Sequence, residues 1–208
     1  LTISTTTSSF TQPASAQSLE LAAVALTAHG FTVEIVDDVD DARSRVTGLI
    51  SEGASVFTST SETLRLSGIE EYISGGRYQA VKPRVLTMDR ATQMNEIRRL
   101  LASPDVVLGS VAAVTETGSV VVASGSGSQL PAYSGGAGSR IWVVGAQKVV
   151  ADLDTALRRV EEHCLPLEDA RARAVYGSPS AINHLLVLNA EPYPGRSTIL
   201  LLREAIGF

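Results

Sequence analysis

Cysteine is almost missing from this sequence: Cys164 is the only one in 208 residues. An internal disulfide is therefore impossible, and no zinc or iron–sulfur centre held by several cysteines can form within one chain. A reducing, cytoplasmic setting is the expectation. Lysine is nearly as rare, with Lys82 and Lys148 the only two, so positive charge rests on arginine. Arginine suits bidentate binding of carboxylate or phosphate, although genome-driven usage gives the same bias. Acidic residues outnumber basic ones 22 to 17, the formal charge is −5 and the sequence pI is about 5.2. No clustered basic patch interrupts that balance, which argues against a nucleic-acid surface. No run approaches the roughly 18 apolar residues of a membrane span, and the opening LTISTTTSSFTQPASAQ has no basic segment before an apolar one. No membrane association is expected.

Apolar residues make up 44% of the chain but aromatics only 5%, so the core should be built from Val, Leu, Ile and Ala. That composition suits a mostly parallel sheet covered by helices. Nothing divides the chain, and residues 1–208 read as one domain, with 1–12, rich in Ser and Thr, loose or extended. Helical spacing over residues 13–29 ends at Gly30. A period-two strand follows at 31–36, and then Asp37, Asp38, Asp40 and Asp41 precede a helix through Ile50. Four aspartates invite a metal reading; capping and complementing the dipole of a helix start is the simpler one.

Residues 54–57 read as a buried strand, and Ser59 and Glu62 stand at capping-box spacing before Leu64. Ser59 and Thr60, at a strand-to-helix junction, are also placed to hold an anion. Residues 67–83 read as a connection, 84–88 as a strand, and Asp89 as the cap of a helix to Ala102. Strands are expected at 105–108 and 141–144, and a helix opening at Asp152 or Asp154 with an apolar stripe of Leu153, Leu157 and Val160 should end at Pro166. Two last strands are expected at 184–188 and 198–202, after a helix fragment and loop over 168–183. The alternation predicts an α/β three-layer, Rossmann-like sandwich with a small antiparallel part.

The most informative stretch is 106–144. Strand-like runs at 111–114 and 119–123 flank Thr115-Glu116-Thr117-Gly118, and residues 117–139 carry no formal charge. Gly118 would supply a positive φ to a tight turn. Glu116, in a Gly/Ser-lined neighbourhood, is a candidate base or nucleophile if desolvation raises its pKa; a solvent-facing turn glutamate is the plainer alternative. The loop Gly125, Ser126, Gly127 and Ser128 offers N–H and hydroxyl groups to an anion, or is simply a flexible loop; it lacks the dinucleotide fingerprint, because Leu130 stands where the third glycine belongs. Lys148 falls just past a strand end. His29, His163 and His184 have no metal-ligand spacing, and no Gly-x-Ser-x-Gly elbow occurs.

VVLGSVAAVTETGSVV, IWVVGAQKVVADLDTALRRVEEH and the ending PGRSTILLLREAIGF resemble the LUD domain family, named for lactate utilisation. The resemblance is good over residues 89–208 and looser before them. It implies a fold like that of the ribose-5-phosphate isomerase, glucosamine-phosphate deaminase and CoA-transferase superfamily, with the site at strand ends. In CoA-transferases of that superfamily a glutamate followed by a small residue and Gly accepts the acyl group, which Glu116-Thr117-Gly118 resembles. Some members of the family belong to iron–sulfur lactate-oxidation systems. Relatives often carry Cys-x-x-Cys where this chain has AVYGSPSAINH, so a cluster is not expected here; and Gln129 stands where relatives have Arg.

Two functions are therefore expected to compete. One is a site for a small anionic metabolite (an organic acid, acyl-CoA or sugar phosphate) formed by Glu116, Thr117, Gly118, the 125–128 loop and Lys148, linked to lactate or organic-acid utilisation. The other is a non-catalytic subunit that contacts an oxidoreductase or a second copy of itself through an apolar edge.

Overall fold

The computed structural model describes residues 10–208; the expectation for residues 1–9 falls outside them. Helix α1 (Ala16–Ala28) starts at Ser15, whose hydroxyl accepts from the N–H of Ser18, and turns Leu19, Ala22 and Leu26 inward. Gly30, at φ +90°, redirects the chain into strand β1 (Thr32–Val36). Helix α2 (Val39–Leu49) is capped by the Asp38 carboxylate, which accepts from the N–H groups of Asp40 and Asp41. Asp37 pairs instead with Arg203, so the four aspartates do not converge on an ion.

Strand β2 (Ser55–Thr58) leads to the short helix α3 (Glu62–Leu66). The expected capping box moves by two residues: Ser61 caps, while Ser59 is buried. The expected connection at 67–83 contains helix α4 (Ile69–Ser74), strand β3 (Gln79–Ala80) and the start of helix α5 (Val81–Leu86). The strand expected at 84–88 is thus mostly helix. Pro83 occupies the first turn, where a missing N–H costs nothing, and Val81 and Val85, one turn apart, both face the core. Helix α6 (Met94–Ala102) begins after Gln93; Asp89 does not cap it but closes a turn, accepting from Ala91 N–H and Thr92 Oγ1.

Strand β4 (Val106–Gly109) is followed by the expected hairpin, β5 (Ala113–Thr115) and β6 (Val120–Ser124), with Gly118 at φ +89°. Strand β7 (Ser139–Val144), a 3₁₀ turn at Ala146–Lys148 and strand β8 (Val149–Val150) come next. Helix α7 (Leu153–Arg159), capped by Asp152, does not stop at Pro166. It passes through a π turn (Val160–Cys164) into helix α8 (Leu165–Tyr176), where the proline sits in the first turn. Leu153 faces out, and the inward stripe runs through Ala156, Arg159 and Val160. Strands β9 (His184–Leu188) and β10 (Ser197–Leu202) complete the chain as expected.

Six strands form a parallel sheet in the order β1-β10-β7-β4-β2-β3. A mixed sheet, β8-β5-β6-β9, packs against it. Side chains alternate across both. Ile199, Leu201, Trp142, Val144 and Val107 face α1, α5, α6 and the second sheet, whereas Leu200, Leu202, Ile141, Val143 and Leu108 face α2, α3 and α4. The outer side of the second sheet, through Ala113, Val121 and Val150, is covered by α7 and the π turn. The result is the expected three-layer α/β architecture, in which near-continuous aliphatic strands are buried on both faces.

Gly109, at the end of β4, is required by close approach. A Cβ there would lie 1.7 Å from Tyr133 Oη and 2.4 Å from Ser59 Oγ, the pair whose hydroxyls bond at 2.7 Å. Gly109→Ala should therefore cost about 2 kcal/mol by overpacking, read as a lower urea midpoint at unchanged slope; a neutral result would mean that Tyr133 moves freely.

Candidate functional site

The parallel sheet reverses between β2 and β4: from β2 the chain moves outward to β3, and from β4 it moves the other way, to β7 and β10. Ligands of open α/β sheets gather at such a reversal, outside the carboxyl ends of the strands. Three strand-end segments meet there. The one after β2 supplies Thr63, the one after β4 supplies Ser110, and the 3₁₀ turn after β7 supplies Lys148. Lys148 Nζ donates to Thr63 Oγ1 at 2.9 Å and to Ser110 Oγ at 3.0 Å. Only 2% of the residue is exposed. Burial, helped by the positive charge of Arg159, pulls the Lys148 ammonium down to about 7.

Arg159 reaches the same place from α7 and is fully buried. Its Nε donates to Gln147 O at 3.2 Å, and its Nη1 donates to Ala112 O and to Cys164 Sγ. Nη2 is buried with no partner. Burial lowers its pKa, and the same burial pushes the Cys164 thiol up. His163 is also held below its ordinary value, first by burial and then by Arg159 and Lys148. Among the described residues no carboxylate pairs with Lys148 or Arg159. Two interior cations without a counter-ion are costly. An anion brought between them would supply what the chain omits.

Residues 205–208 lie across this crevice. Gln147 Nε2 donates to the carbonyls of Ile206 and Gly207 at 2.9 Å, Ile206 N–H donates back to Gln147 Oε1, and Thr63 Oγ1 donates to Ile206 O. Gly207, at φ +69°, passes so near that a Cβ would lie 2.3 Å from Thr63 Oγ1. Beside this segment is a cavity of about 300 Å³ lined by Glu62, Leu66, Gln147, His163, Leu167 and Phe208, among others.

The turn carrying Glu116 is elsewhere. Its N–H donates to Val150 O, Gly118 O lies 2.8 Å from His29 Nδ1, and Thr117, exposed, places Oγ1 2.9 Å from Thr115 Oγ1. Glu116 itself is half-buried. The β5–β8 register, Val114 opposite Val149, puts Lys148 level with Ala113, about 10 Å along the strand from Glu116. The 125–128 loop follows the far end of β6, about 17 Å from the turn. Its groups are spent locally: Gly127 N–H on Ser124 Oγ, Ser126 Oγ on Ser128 Oγ, and Gly125 O on Asn183. Thus Glu116, Thr117 and Gly118 share one place, Gly125, Ser126, Gly127 and Ser128 another, and Lys148 a third. Ser59 is engaged with Tyr133, and Thr60 is exposed beside it.

Thr63, Ser110, Gln147 and Arg159 escaped the sequence reading. Only Arg159 left a signal, since it falls in helical phase between Ala156 and His163, while its neighbour Arg158 pairs outward with Glu162. Among the described residues, no three His, Cys, Asp or Glu side chains are grouped to hold a metal ion, and no helix is long and apolar enough to cross a membrane.

Fold and site together define a doubly wound α/β protein with a cationic centre at its sheet reversal. The chain belongs to the LUD domain family, whose model matches residues 19–201. It is similar to the crystal structure of a DUF162 family protein from Deinococcus radiodurans, with a TM-score of 0.57 at 16% identity over 91% of this chain and 99% of that one, a likeness of fold. A comparison with curated proteins finds no match.

Proposed function

We propose that this LUD-domain protein binds a small organic-acid anion in the crevice between β2 and β4, with Lys148 and Arg159 as its cationic partners. The observation that carries the reading is a pair of interior cations, at a sheet reversal, that no carboxylate of the described chain neutralises. Thr63 and Ser110 position the amine. Residues 205–208 lie over it, and the burial of Lys148 and Arg159 strengthens every charge interaction they make. A role in lactate or other organic-acid utilisation, which the family's name carries, fits basic groups that await a small anion, and the single cysteine and acidic pI fit a cytoplasmic protein.

The Glu116 turn remains a competing site. A thermal-shift panel of lactate, pyruvate, CoA esters and sugar phosphates separates the two. A ligand at 100 times its Kd should stabilise the chain by about 2.7 kcal/mol, and the shift should vanish in Lys148→Met and Arg159→Met yet persist in Glu116→Gln. A shift lost in Glu116→Gln and kept in Lys148→Met would move the site to the turn.

One feature favours the subunit reading as a second role. Strand β9 is the edge of the second sheet, with Leu185 48% exposed, and an unprotected apolar edge strand offers its backbone to another chain. A partner oxidoreductase or a second copy would be expected to protect β9 amides from hydrogen exchange.

A further inference from the structure

We infer that the ligand of this site is a 2-oxo acid and that Lys148 holds it covalently, as an imine on its carbonyl carbon. The inference rests on the organic-acid reading above and narrows it. Lys148 Nζ donates two hydrogen bonds, to Thr63 Oγ1 and Ser110 Oγ. Two is the number of N–H groups on a neutral amine; an ammonium would leave a third buried without a partner. The arrangement satisfies the amine and leaves its lone pair uncommitted. Burial and the nearby Arg159 also hold the group down to about 7, so much of it is amine at neutral pH. A desolvated lysine beside another cation is the environment in which lysine becomes a nucleophile toward carbonyls.

Arg159 supplies the other half of the recognition. Its Nε is tied to the carbonyl of Gln147, the residue before Lys148, so the guanidinium stands at the same turn. Its Nη2 is fully buried and unpaired. A 2-oxo acid carries a carboxylate on the carbon next to its carbonyl, so one small molecule presents both an electrophile for the amine and an anion for the guanidinium. A 2-hydroxy acid presents only the second. In the step itself, Nζ bonds to C2, the C=O double bond opens to a carbinolamine, and the oxygen leaves as water with the two amine hydrogens. The imine then takes one proton from solvent. No oxidant or reductant is consumed. Access requires residues 205–208 to lift, releasing the Gln147 and Thr63 hydrogen bonds to Ile206 and Gly207.

The test uses the full chain, pyruvate as probe and borohydride to reduce any imine to a stable secondary amine, read by intact mass and peptide mapping. One equivalent of adduct is expected on the peptide holding Lys148. None is expected on Lys82, which is ion-paired with Glu70, and none with lactate in place of pyruvate. Lys148→Met should lose the adduct; the peptide map of the wild type gives the same answer should that variant fold poorly. Absence of adduct at saturating pyruvate, or equal labelling of Lys82, overturns the inference. If pyruvate still raises the melting temperature through Lys148 without being trapped, the imine falls and the anion site stands; if it does neither, both fall.

Discussion

Lys148→Met should raise the melting temperature at pH 7 while abolishing the response to organic acids. The folded chain holds the Lys148 ammonium at about 7 against an ordinary 10.5. Between those values the unfolded chain carries a proton that the folded chain does not, so the stability that Lys148 permits rises with pH across that window, and its cost is full below pH 7. The shift sets a ceiling of roughly 4 to 5 kcal/mol on that cost. Two hydrogen bonds, to Thr63 and Ser110, are lost with the amine and offset about 1 kcal/mol each. A net gain of roughly 2 kcal/mol follows, about 4 to 8 °C for a chain of this size. The gain should shrink as pH approaches 10, because the wild type then unfolds from an already neutral amine. Calorimetry at pH 7 and pH 9.5 on both proteins measures it. A variant less stable than wild type at both values would make Lys148 a structural cation and remove the reason for seeking its anion.

Glu191→Gln should have the opposite and larger effect, a loss of about 3 to 5 kcal/mol. The Glu191 side chain is completely buried and accepts from Arg140, from Arg196, from Ser197 Oγ at 2.6 Å and from Tyr193 N–H at 2.9 Å. Arg140, on β7, is only 3% exposed and also donates to Tyr133 O. Glutamine keeps the shape and loses the charge, leaving Arg140 in the interior without a counter-ion. Arg196, 22% exposed, is the weaker partner, and Arg196→Ala should cost no more than about 1 kcal/mol. Urea unfolding of the two variants tests the ranking; a Glu191→Gln protein within 1 kcal/mol of wild type would refute it.

The two clusters lie at opposite ends of β7 and differ in one respect. Arg140 follows the loop before the strand and has its carboxylate, whereas Lys148 follows the strand's carboxyl end and has none. Retaining a neutralised arginine at one end and two basic groups without a carboxylate at the other is the pattern expected when only the second end must receive a charge from outside. Functional sites are where a sequence tolerates locally unfavourable arrangements.

Much of the fold was legible in the sequence because its signals are local. Period-two and continuous aliphatic runs marked β1, β2, β4, β7, β9 and β10, the Thr-Glu-Thr-Gly turn marked the hairpin, and helical spacing over residues 13–29, stopped by Gly30, marked α1. Local signals also misled. Val85, Leu86 and Met88 look like a strand, but Pro83 is harmless in a first turn, and the Val81–Val85 pair draws the segment onto the core as helix. Pro166 looks like a stop and instead opens α8 behind a π turn.

The residue types were thus readable one by one, Lys148 included. That Lys148 is buried, and that Thr63, Ser110 and Arg159 surround it while Glu116 and the 125–128 loop do not, was decided by the tertiary structure alone. Residues 63, 110, 148 and 159 are joined by no periodicity. They meet because strand order places β2, β4 and β7 side by side, and because α7 crosses behind β5 with Arg159 in phase with its buried face. Sequence spacing records neither strand order nor depth of burial, and here those two quantities separate a surface lysine from a reactive one.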